Sequence, residues 1–407
     1  MAQETPSWLN QEFTEGVLRR SERDNSIQVI NISTKPATKK GDNYTSDMVR
    51  IYVEYSRKRH DGKTNEKTTI IVKILPSEIG YRRELVESTQ IFDTEMAMMT
   101  NTLEKMNDLL GDGKRLNGRI LHVQEDPKLL VIEDLASLGF QMADRLSGLD
   151  LAHSILAIQG LARFHAASIA LFEKEPNHWK GYQKGIFFAE QHKEMSQFFV
   201  AGTKALAAEV RTWPELGQKY GDKIERLSSH LFDKGIEVCK RKDDELNVLN
   251  HGDSWVNNML FKYDDNGKPI QHIFVDFQLC FYTTPAIDLQ YFLCTSPSEK
   301  VLENSRQHLL DEYLRTLSNT MKRLNCKTQS LTMKQLEKSL KERRFYGLIA
   351  SFTVLPLVVL EKDKALNLDE LLPKNGTYDN VAYKGENYRR LISKRIKMYD
   401  EEGLLDV

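Results

Sequence analysis

The spacing of apolar residues changes once along the chain, and this change restricts the fold more than any other feature. In the first third, apolar residues recur at every second position, as in a half-buried strand, at Val49, Ile51, Val53 and Tyr55. A second apolar run follows at 69–74, and the turn pair Asp61-Gly62 lies between the two runs. This arrangement predicts an antiparallel hairpin.

The rest of the first third predicts a small α+β lobe. Residues 84–110 carry a helical pattern, and two further strands are predicted at 119–123 and 129–135, on either side of the turn Asp126-Pro127. We therefore expect one helix that packs on an antiparallel sheet. The predicted N-terminal lobe spans residues 1–135.

The pattern becomes mainly helical after Gly139. Apolar residues from 151 to 172 recur at alternating steps of four and three, which predicts one long helix with a buried stripe. His165 lies on this stripe, and we interpret it as a hydrogen-bonded core histidine rather than a ligand or a base. The chain is thus predicted to have an α+β fold with a larger, mainly helical lobe at 136–407.

Composition restricts the partners and the compartment. The 57 Lys and Arg residues nearly balance 58 Asp and Glu residues, so a net charge of -1 provides no general attraction to nucleic acid. The four cysteines form no C-x-x-C pair, which favours a reducing, cytoplasmic location, and the chain starts without the pattern of a secretory signal. The longest apolar stretch, at 345–360, contains Pro356 and is too short to cross a bilayer, so we expect no membrane insertion.

The densest group of polar residues lies at 251–258. A predicted hairpin follows this group and leads to Asp276. Asp253 can accept a proton from an attacking hydroxyl group, while the Asn258 amide oxygen and the Asp276 carboxylate are hard ligands that suit Mg²⁺. This division of roles is the one that phosphoryl transfer requires. Short strands are predicted around the group at 247–249, 259–263 and 272–275.

Phosphoryl transfer also requires a fixed positive charge, and Lys73 is the candidate. A lysine within the apolar run at 69–74 is costly unless it meets an anion, and Glu95 in the following helix offers a partner. A strand lysine that extends to solvent is the alternative interpretation. A turn before the first strand could bring backbone N–H groups to phosphates, although an ordinary polar turn explains it equally well. This turn contains Gly41, Asp42, Asn43 and Tyr44.

Several blocks of the sequence resemble one family. The motif H-x-D-x-x-x-x-N followed by the Asp276 block is specific for a kinase-like superfamily, and H-G-D-x-W-x-N-N with D-F-Q narrows it to one branch. On these blocks the chain resembles the ecdysteroid-kinase-like family, which is related to choline kinases and aminoglycoside phosphotransferases, from about residue 6 to the C-terminus. The blocks lie at 35–44, 132–135, 161–168, 249–258, 274–278 and 285–288.

The resemblance implies a bilobal protein-kinase-like fold that binds ATP and Mg²⁺ in its cleft. By matching motif positions, Asp253 would be the catalytic base, and Asn258 and Asp276 would be the Mg²⁺ ligands. Lys73 would contact the α- and β-phosphates, with Glu95 as its ion-pair partner.

The resemblance also assigns supporting roles. The backbone of Glu133, Asp134 and Leu135 would meet adenine, and the turn at 41–46 would cover the phosphates. His251 and Asp288 would brace the catalytic loop rather than react.

The number of residues between Asp276 and Asp288 distinguishes among classes of kinase. Only about a dozen residues separate Asp276 from Asp288, too few for the activation segment of a protein kinase, and Gln278 departs from the D-F-G motif. The predicted acceptor is therefore a small hydroxylated molecule. By analogy with the family it would be an ecdysteroid or a hydroxylated foreign compound.

Two other functions stay open. A catalytically silent nucleotide-binding protein would be expected to lose Asp253, Asp276 or Lys73, and all three are present. A metal-dependent hydrolase could use His251 together with carboxylates, but a single histidine disfavours zinc. The sequence indicates no particular oligomeric state.

Overall fold

The N-terminal part of the protein is built on a five-stranded antiparallel sheet. The computed structural model describes residues 6–38, 44–76, 80–190, 193–366, 370 and 380–407. Helix α1 (Gln11–Glu22) comes first and packs on the sheet, whose strands lie in the order β1-β2-β3-β5-β4. The strands are β1 (Gln28–Pro36), β2 (Asp47–Arg59), β3 (Gly62–Ile74), β4 (Ile120–Glu125) and β5 (Lys128–Glu133).

The predicted hairpin is present as β2 and β3. Arg59 lies opposite Gly62 at its closed end, and Met48 lies opposite Lys73 near its open end. Ile51 and Val72 are buried against α1, so the next residue along each strand faces the opposite side of the sheet. This alternation is why Lys73 points away from the α1 core.

The single helix predicted at 84–110 is wrong, because the chain leaves helical conformation at Gln90. It forms α2 (Tyr81–Thr89), α3 (Ile91–Ala97) and α4 (Leu103–Leu110), with a π-helical turn at Met98–Thr102. Gln90 adopts a left-handed backbone conformation with φ of 56°, which ends α2 and turns the chain before α3. The apolar spacing predicted helical structure but not the break.

The C-terminal part is mainly helical, and its central element is α5 (Leu151–Lys174). Asp150 caps this helix by accepting a hydrogen bond from the His153 backbone N–H at 2.9 Å. Alone among the described helices, α5 is long and apolar enough to cross a membrane, but 72% of its apolar stretch is buried inside the protein, as in a core helix. His165 lies in this buried part, as the stripe predicted.

The described residues of this part form nine further α-helices, of which α10 packs most extensively on α5. The apolar stretch at 345–360 forms two of them, because the chain breaks at Val354 and Pro356 has no backbone N–H to continue the first one. The nine helices are α6 (Lys193–Arg211), α7 (Gly217–Ser228), α8 (Leu231–Cys239), α9 (Ala286–Thr295), α10 (Glu299–Arg323), α11 (Met333–Glu342), α12 (Arg344–Thr353), α13 (Leu355–Val358) and α14 (Glu386–Glu401).

Two small sheets in this part carry the polar loop at 251–258. The loop leaves β7, which pairs with β10, and enters β8, which pairs with β6 and β9. The α+β prediction is therefore confirmed. The strands are β6 (Phe140–Met142), β7 (Val248–Asn250), β8 (Met259–Tyr263), β9 (Pro269–Phe274) and β10 (Phe281–Thr283).

The N-terminal core should respond to a loss of volume beneath α1. Ile51 is fully buried, so Ile51→Ala should lower the free energy of unfolding by about 2–5 kcal/mol. Ile30 is 52% exposed on the same sheet, so Ile30→Ala is the matched control and should change it by less than about 0.5 kcal/mol. Urea unfolding of both variants measures the difference, and equal losses would contradict the assigned packing.

Candidate active site

A cavity of about 800 Å³ lies between the first sheet and the C-terminal part of the protein. Met48, Arg50, Ile71 and Lys73 line it from the sheet, while Asn258, Leu260 and the segment 274–277 line it from the opposite side. Of the residues singled out in the sequence, the lining includes Lys73, Glu95, Glu133, Asp134, Leu135, Asn258 and Asp276.

Lys73 is buried and paired with two carboxylates. Its Nζ lies 2.5 Å from Glu95 Oε2 and 2.6 Å from Asp276 Oδ1, and its side chain is only 3% exposed. Burial alone would lower the Lys73 pKa, but Asp276 and Glu95 raise it above its ordinary value, so the ammonium stays charged. Burial raises the pKa of Glu95, and Lys73 opposes that effect. Lys73 therefore does not extend to solvent.

Asp288 on α9 holds the backbone of the loop at 251–258. The N–H groups of His251 and Gly252 donate to its two carboxylate oxygens at 2.7 and 2.9 Å. Burial alone would raise the Asp288 pKa, but the hydrogen bond from His165 and the surrounding donors keep it below its ordinary value. His165 also contacts the Tyr313 hydroxyl group at 2.8 Å, which makes it a hydrogen-bonded core histidine.

His251 forms hydrogen bonds with neighbouring backbone groups and is not among the residues that line the cavity. Its Nε2 donates to the Val275 carbonyl group at 3.1 Å, and its Nδ1 accepts from the Asp253 backbone N–H at 3.3 Å. Burial lowers the pKa of His251, which agrees with a neutral ring in this hydrogen-bonding pattern. Both ring nitrogens are therefore used internally.

The Asp253 carboxylate is held at both of its oxygens. Asn258 Nδ2 donates to Oδ2 at 2.8 Å, and the Tyr291 hydroxyl group donates to Oδ1 at 2.5 Å. Burial and then the nearby Asp276 charge raise the pKa of Asp253 to about 7, while both hydrogen bonds act in the opposite direction. Asp253 is not among the residues that line the cavity. Its carboxylate forms a hydrogen bond with Asn258, which does line it.

Asp276 follows β9 in an unusual backbone conformation, with φ of 67°. The Val275 backbone N–H donates to the Asn258 carbonyl group at 3.1 Å, so the open end of the β8–β9 hairpin brings Asn258 and Asp276 together. Strained backbone at a non-glycine residue is typical of functional positions. Asp276 Oδ1 accepts from Lys73, and Asp276 Oδ2 accepts from Gln278 Nε2 at 3.2 Å.

The donor atoms at this end of the hairpin fit Mg²⁺. Asn258 uses its amide N–H for Asp253, which leaves its amide oxygen for a cation. Mg²⁺ prefers oxygen and is usually bound through one or two protein ligands, with water and phosphate oxygens completing its shell. One amide oxygen and one carboxylate meet that requirement.

The segment predicted to contact adenine uses its side chains structurally. Asp134 accepts from Arg50 Nε at 2.7 Å and from the Ala136 backbone N–H at 3.2 Å, so it pins the segment to β2 and caps the short helix that follows. Glu133 accepts from the Arg119 backbone N–H at 3.0 Å. The carboxylates of both residues are therefore engaged with the protein.

The turn predicted to cover the phosphates is only partly described. Gly41, Asp42 and Asn43 lie outside the described residues, whereas Tyr44 lies within them. Arg82 on α2 donates to the carbonyl groups of Tyr44 and Ser46, both at 2.7 Å, and to Asp47 Oδ1 at 2.9 Å. It clamps the chain where the turn enters β2.

The structural roles of Arg82, Tyr291 and Gln278 were not predicted from the sequence. The Thr45 hydroxyl group donates to Gln278 Oε1 at 2.7 Å, so Gln278 connects the turn to Asp276. The departure from D-F-G marked Gln278 as unusual, but only the fold shows what it contacts. Arg82 and Tyr291 carry no local motif that distinguishes them from ordinary helix residues.

A bilobal α+β fold with these side chains at its cleft is that of a kinase that acts on small molecules. A family model described as the ecdysteroid kinase-like family matches residues 40–326, more than half of the chain. The protein therefore belongs to the ecdysteroid kinase-like family. No curated protein matches the chain significantly.

Several solved structures show a distant likeness. Choline kinase LicA from Streptococcus pneumoniae is 13% identical with a TM-score of 0.42, and the match covers 95% of this chain and 99% of that one. A choline/ethanolamine kinase family protein from Mesorhizobium loti is 11% identical with a TM-score of 0.41, over 97% of both chains. Amicoumacin kinase hAmiN is 12% identical with a TM-score of 0.42, over 85% of both chains. The family match, rather than this likeness, carries the assignment.

The loop should tolerate only glycine at position 252. Gly252 has φ of 79°, and an added Cβ would lie 2.0 Å from the Leu279 carbonyl oxygen. Gly267 has a similar φ of 75° with open space around it, so Gly267→Ala isolates the backbone strain of roughly 1–2 kcal/mol. Gly252→Ala should lose clearly more stability in thermal unfolding, because backbone must move as well. Equal losses in the two variants would contradict the close approach at position 252.

Proposed function

We propose that this protein transfers the γ-phosphoryl group of ATP to a hydroxyl group of a small molecule, with Mg²⁺ as cofactor and an ecdysteroid or a hydroxylated xenobiotic as acceptor. One observation carries the proposal: Lys73, Asn258 and Asp276 line a single cavity, with Asp253 bonded directly to Asn258. Residues 1–135 would form the nucleotide-binding lobe and residues 136–407 the lobe that binds the acceptor.

Asp253 is the proposed general base. Its raised pKa of about 7 suits a group that takes a proton from an alcohol near neutral pH. Each carboxylate oxygen has two acceptor sites, so the bonds from Asn258 and Tyr291 leave room for an acceptor hydroxyl group.

Asn258 and Asp276 are the proposed Mg²⁺ ligands, and Lys73 is the proposed phosphate contact. Bound Mg²⁺ would supply positive charge that stabilises the transferring phosphoryl group. Glu95 keeps the Lys73 ammonium in place within the cavity. The backbone of Glu133, Asp134 and Leu135 would meet adenine, and the turn at 41–46 would cover the phosphates.

The competing functions fit the site less well. A silent binder has no need for an aspartate whose carboxylate is held at both oxygens beside a metal-binding amide. A zinc hydrolase would need His251, but both nitrogens of that ring are engaged by the backbone groups of Asp253 and Val275. The four cysteines are free thiols, which supports the proposed cytoplasmic location. A role in detoxification there follows only from the proposed xenobiotic acceptor.

The function is tested by incubating the protein with ATP, Mg²⁺ and a panel of steroids, phenolics and amino alcohols. We expect ADP release that depends on an acceptor and a phosphorylated product in the mass spectrum. Asp253→Asn should bind ATP but lose roughly 10²–10⁴-fold of the turnover. Asp265→Asn, in the exposed β8–β9 turn, is the control and should keep wild-type turnover.

Two results would contradict this function, and a third would contradict the role of Asp253. Nucleotide binding without turnover on any acceptor would favour the silent binder. Cleavage of a substrate without ATP would favour the hydrolase. Near-normal turnover in Asp253→Asn would remove Asp253 from the role of base.

The metal role of Asp276 is separable from its contact with Lys73. Asp276→Asn keeps the shape of the side chain but removes a charged ligand, while Lys73 still pairs with Glu95. The Mg²⁺ concentration for half-maximal turnover should rise at least about 10-fold. Mutation of residues that only support metal ligands already lowers metal affinity by about this factor. Turnover measured against Mg²⁺ concentration checks this, and an unchanged Mg²⁺ requirement would exclude Asp276 as a ligand.

A further inference from the structure

Helix α9 contacts the catalytic loop through two residues on one face. Asp288 and Tyr291 are three positions apart, so their side chains project from the same side of the helix. Asp288 holds the loop backbone at His251 and Gly252, and Tyr291 holds the carboxylate of Asp253. The same helix face therefore positions both the chain that carries the proposed base and the base itself.

The contact between Tyr291 and Asp253 is short and enclosed. The two oxygens are 2.5 Å apart, a distance typical of a hydrogen bond from a hydroxyl group to a charged carboxylate. The Tyr291 side chain is 8% exposed, and its ring lies 6.2 Å from the ring of Tyr346, which is 2% exposed. Tyr291 thus approaches Asp253 from inside the protein.

Two donors from different elements restrict the Asp253 carboxylate. Asn258 engages Oδ2 from the end of the loop, and Tyr291 engages Oδ1 from α9. Rotation of the carboxylate about its last torsion would break both bonds. Without the Tyr291 hydroxyl group, Oδ1 would lose this donor, while Asn258 would still engage Oδ2.

Tyr291 acts as a donor and not as a base. Burial, reinforced by the charge of Asp253, raises its pKa well above the ordinary value, so the phenol keeps its proton at neutral pH. A protonated phenol does not act as the base for an alcohol. Any effect of Tyr291 on catalysis therefore depends on how it holds Asp253.

We propose that Tyr291 is a positioning residue that fixes the orientation of the Asp253 carboxylate toward the acceptor hydroxyl group. This inference rests on the proposed function, because Asp253 needs an orientation only if it deprotonates an acceptor. The alternative is that the hydrogen bond only gives the buried Tyr291 hydroxyl group a partner. In that case its loss would affect stability alone.

The test compares Tyr291→Phe with Tyr388→Phe, using the panel compound that the wild-type protein phosphorylates fastest. Loss of a hydrogen bond to a charged group should lower kcat of Tyr291→Phe by about 10- to 100-fold, with KM for ATP changed less than about twofold. Tyr388 is fully buried and donates to the Ser351 carbonyl group at 3.1 Å, so Tyr388→Phe removes a comparable bond and should keep wild-type kcat.

A double-mutant cycle separates positioning from a structural role. If Tyr291 acts through Asp253, adding Tyr291→Phe to Asp253→Asn should lower kcat little further, whereas independent effects would multiply. Wild-type kcat in Tyr291→Phe, an equal loss in Tyr388→Phe, or multiplying effects in the cycle would each overturn the inference.

The inference and the proposed function can fail separately. If the wild-type protein phosphorylates no compound of the panel, the proposed function fails. A crystal structure of Tyr291→Phe needs no acceptor, and it should show the Asp253 carboxylate rotated from its wild-type orientation. An unchanged carboxylate in that structure would overturn the inference whatever the fate of the function.

Discussion

One buried ammonium group joins the separate parts of this structure at the cleft. Lys73 extends from β3 to Glu95 on α3 and to Asp276 after β9, so a single charge connects the sheet, a helix and the C-terminal hairpin. Breaking a buried pair leaves an uncompensated charge and costs several kcal/mol, which makes this contact hard to lose. The sheet and the hairpin are therefore held at the separation that forms the cavity.

Below the cleft, a single helix, α9, supports the loop at 251–258. Asp288 satisfies two loop N–H groups that would otherwise be buried without partners, and Gly252 allows the chain to pass against the Leu279 carbonyl group. Gln278 links the opposite side of the cavity to Thr45 in the turn before β2. The loop, the turn and the Asp276 carboxylate are thus connected through side chains rather than through long elements.

Local patterns predicted much of the fold, and tertiary contacts explain where they failed. Alternation predicted the β2–β3 hairpin because one face packs on α1, whereas β1 was not predicted because its residues are mostly exposed at the edge of the sheet. The helix at 84–110 breaks at Gln90, a residue whose side chain gives no signal for left-handed backbone. Lys73 was identified because a charge in an apolar strand needs a partner.

The sequence by itself determined the β2–β3 hairpin, the change to mainly helical structure after it and the close pairing of Asn258 with Asp276. These depend on residues near one another along the chain, joined by a short hairpin. Only the tertiary structure decided that Arg82 clamps the turn and that Tyr291 holds Asp253. Such contacts join distant residues, and their geometry is set by packing that no local pattern encodes.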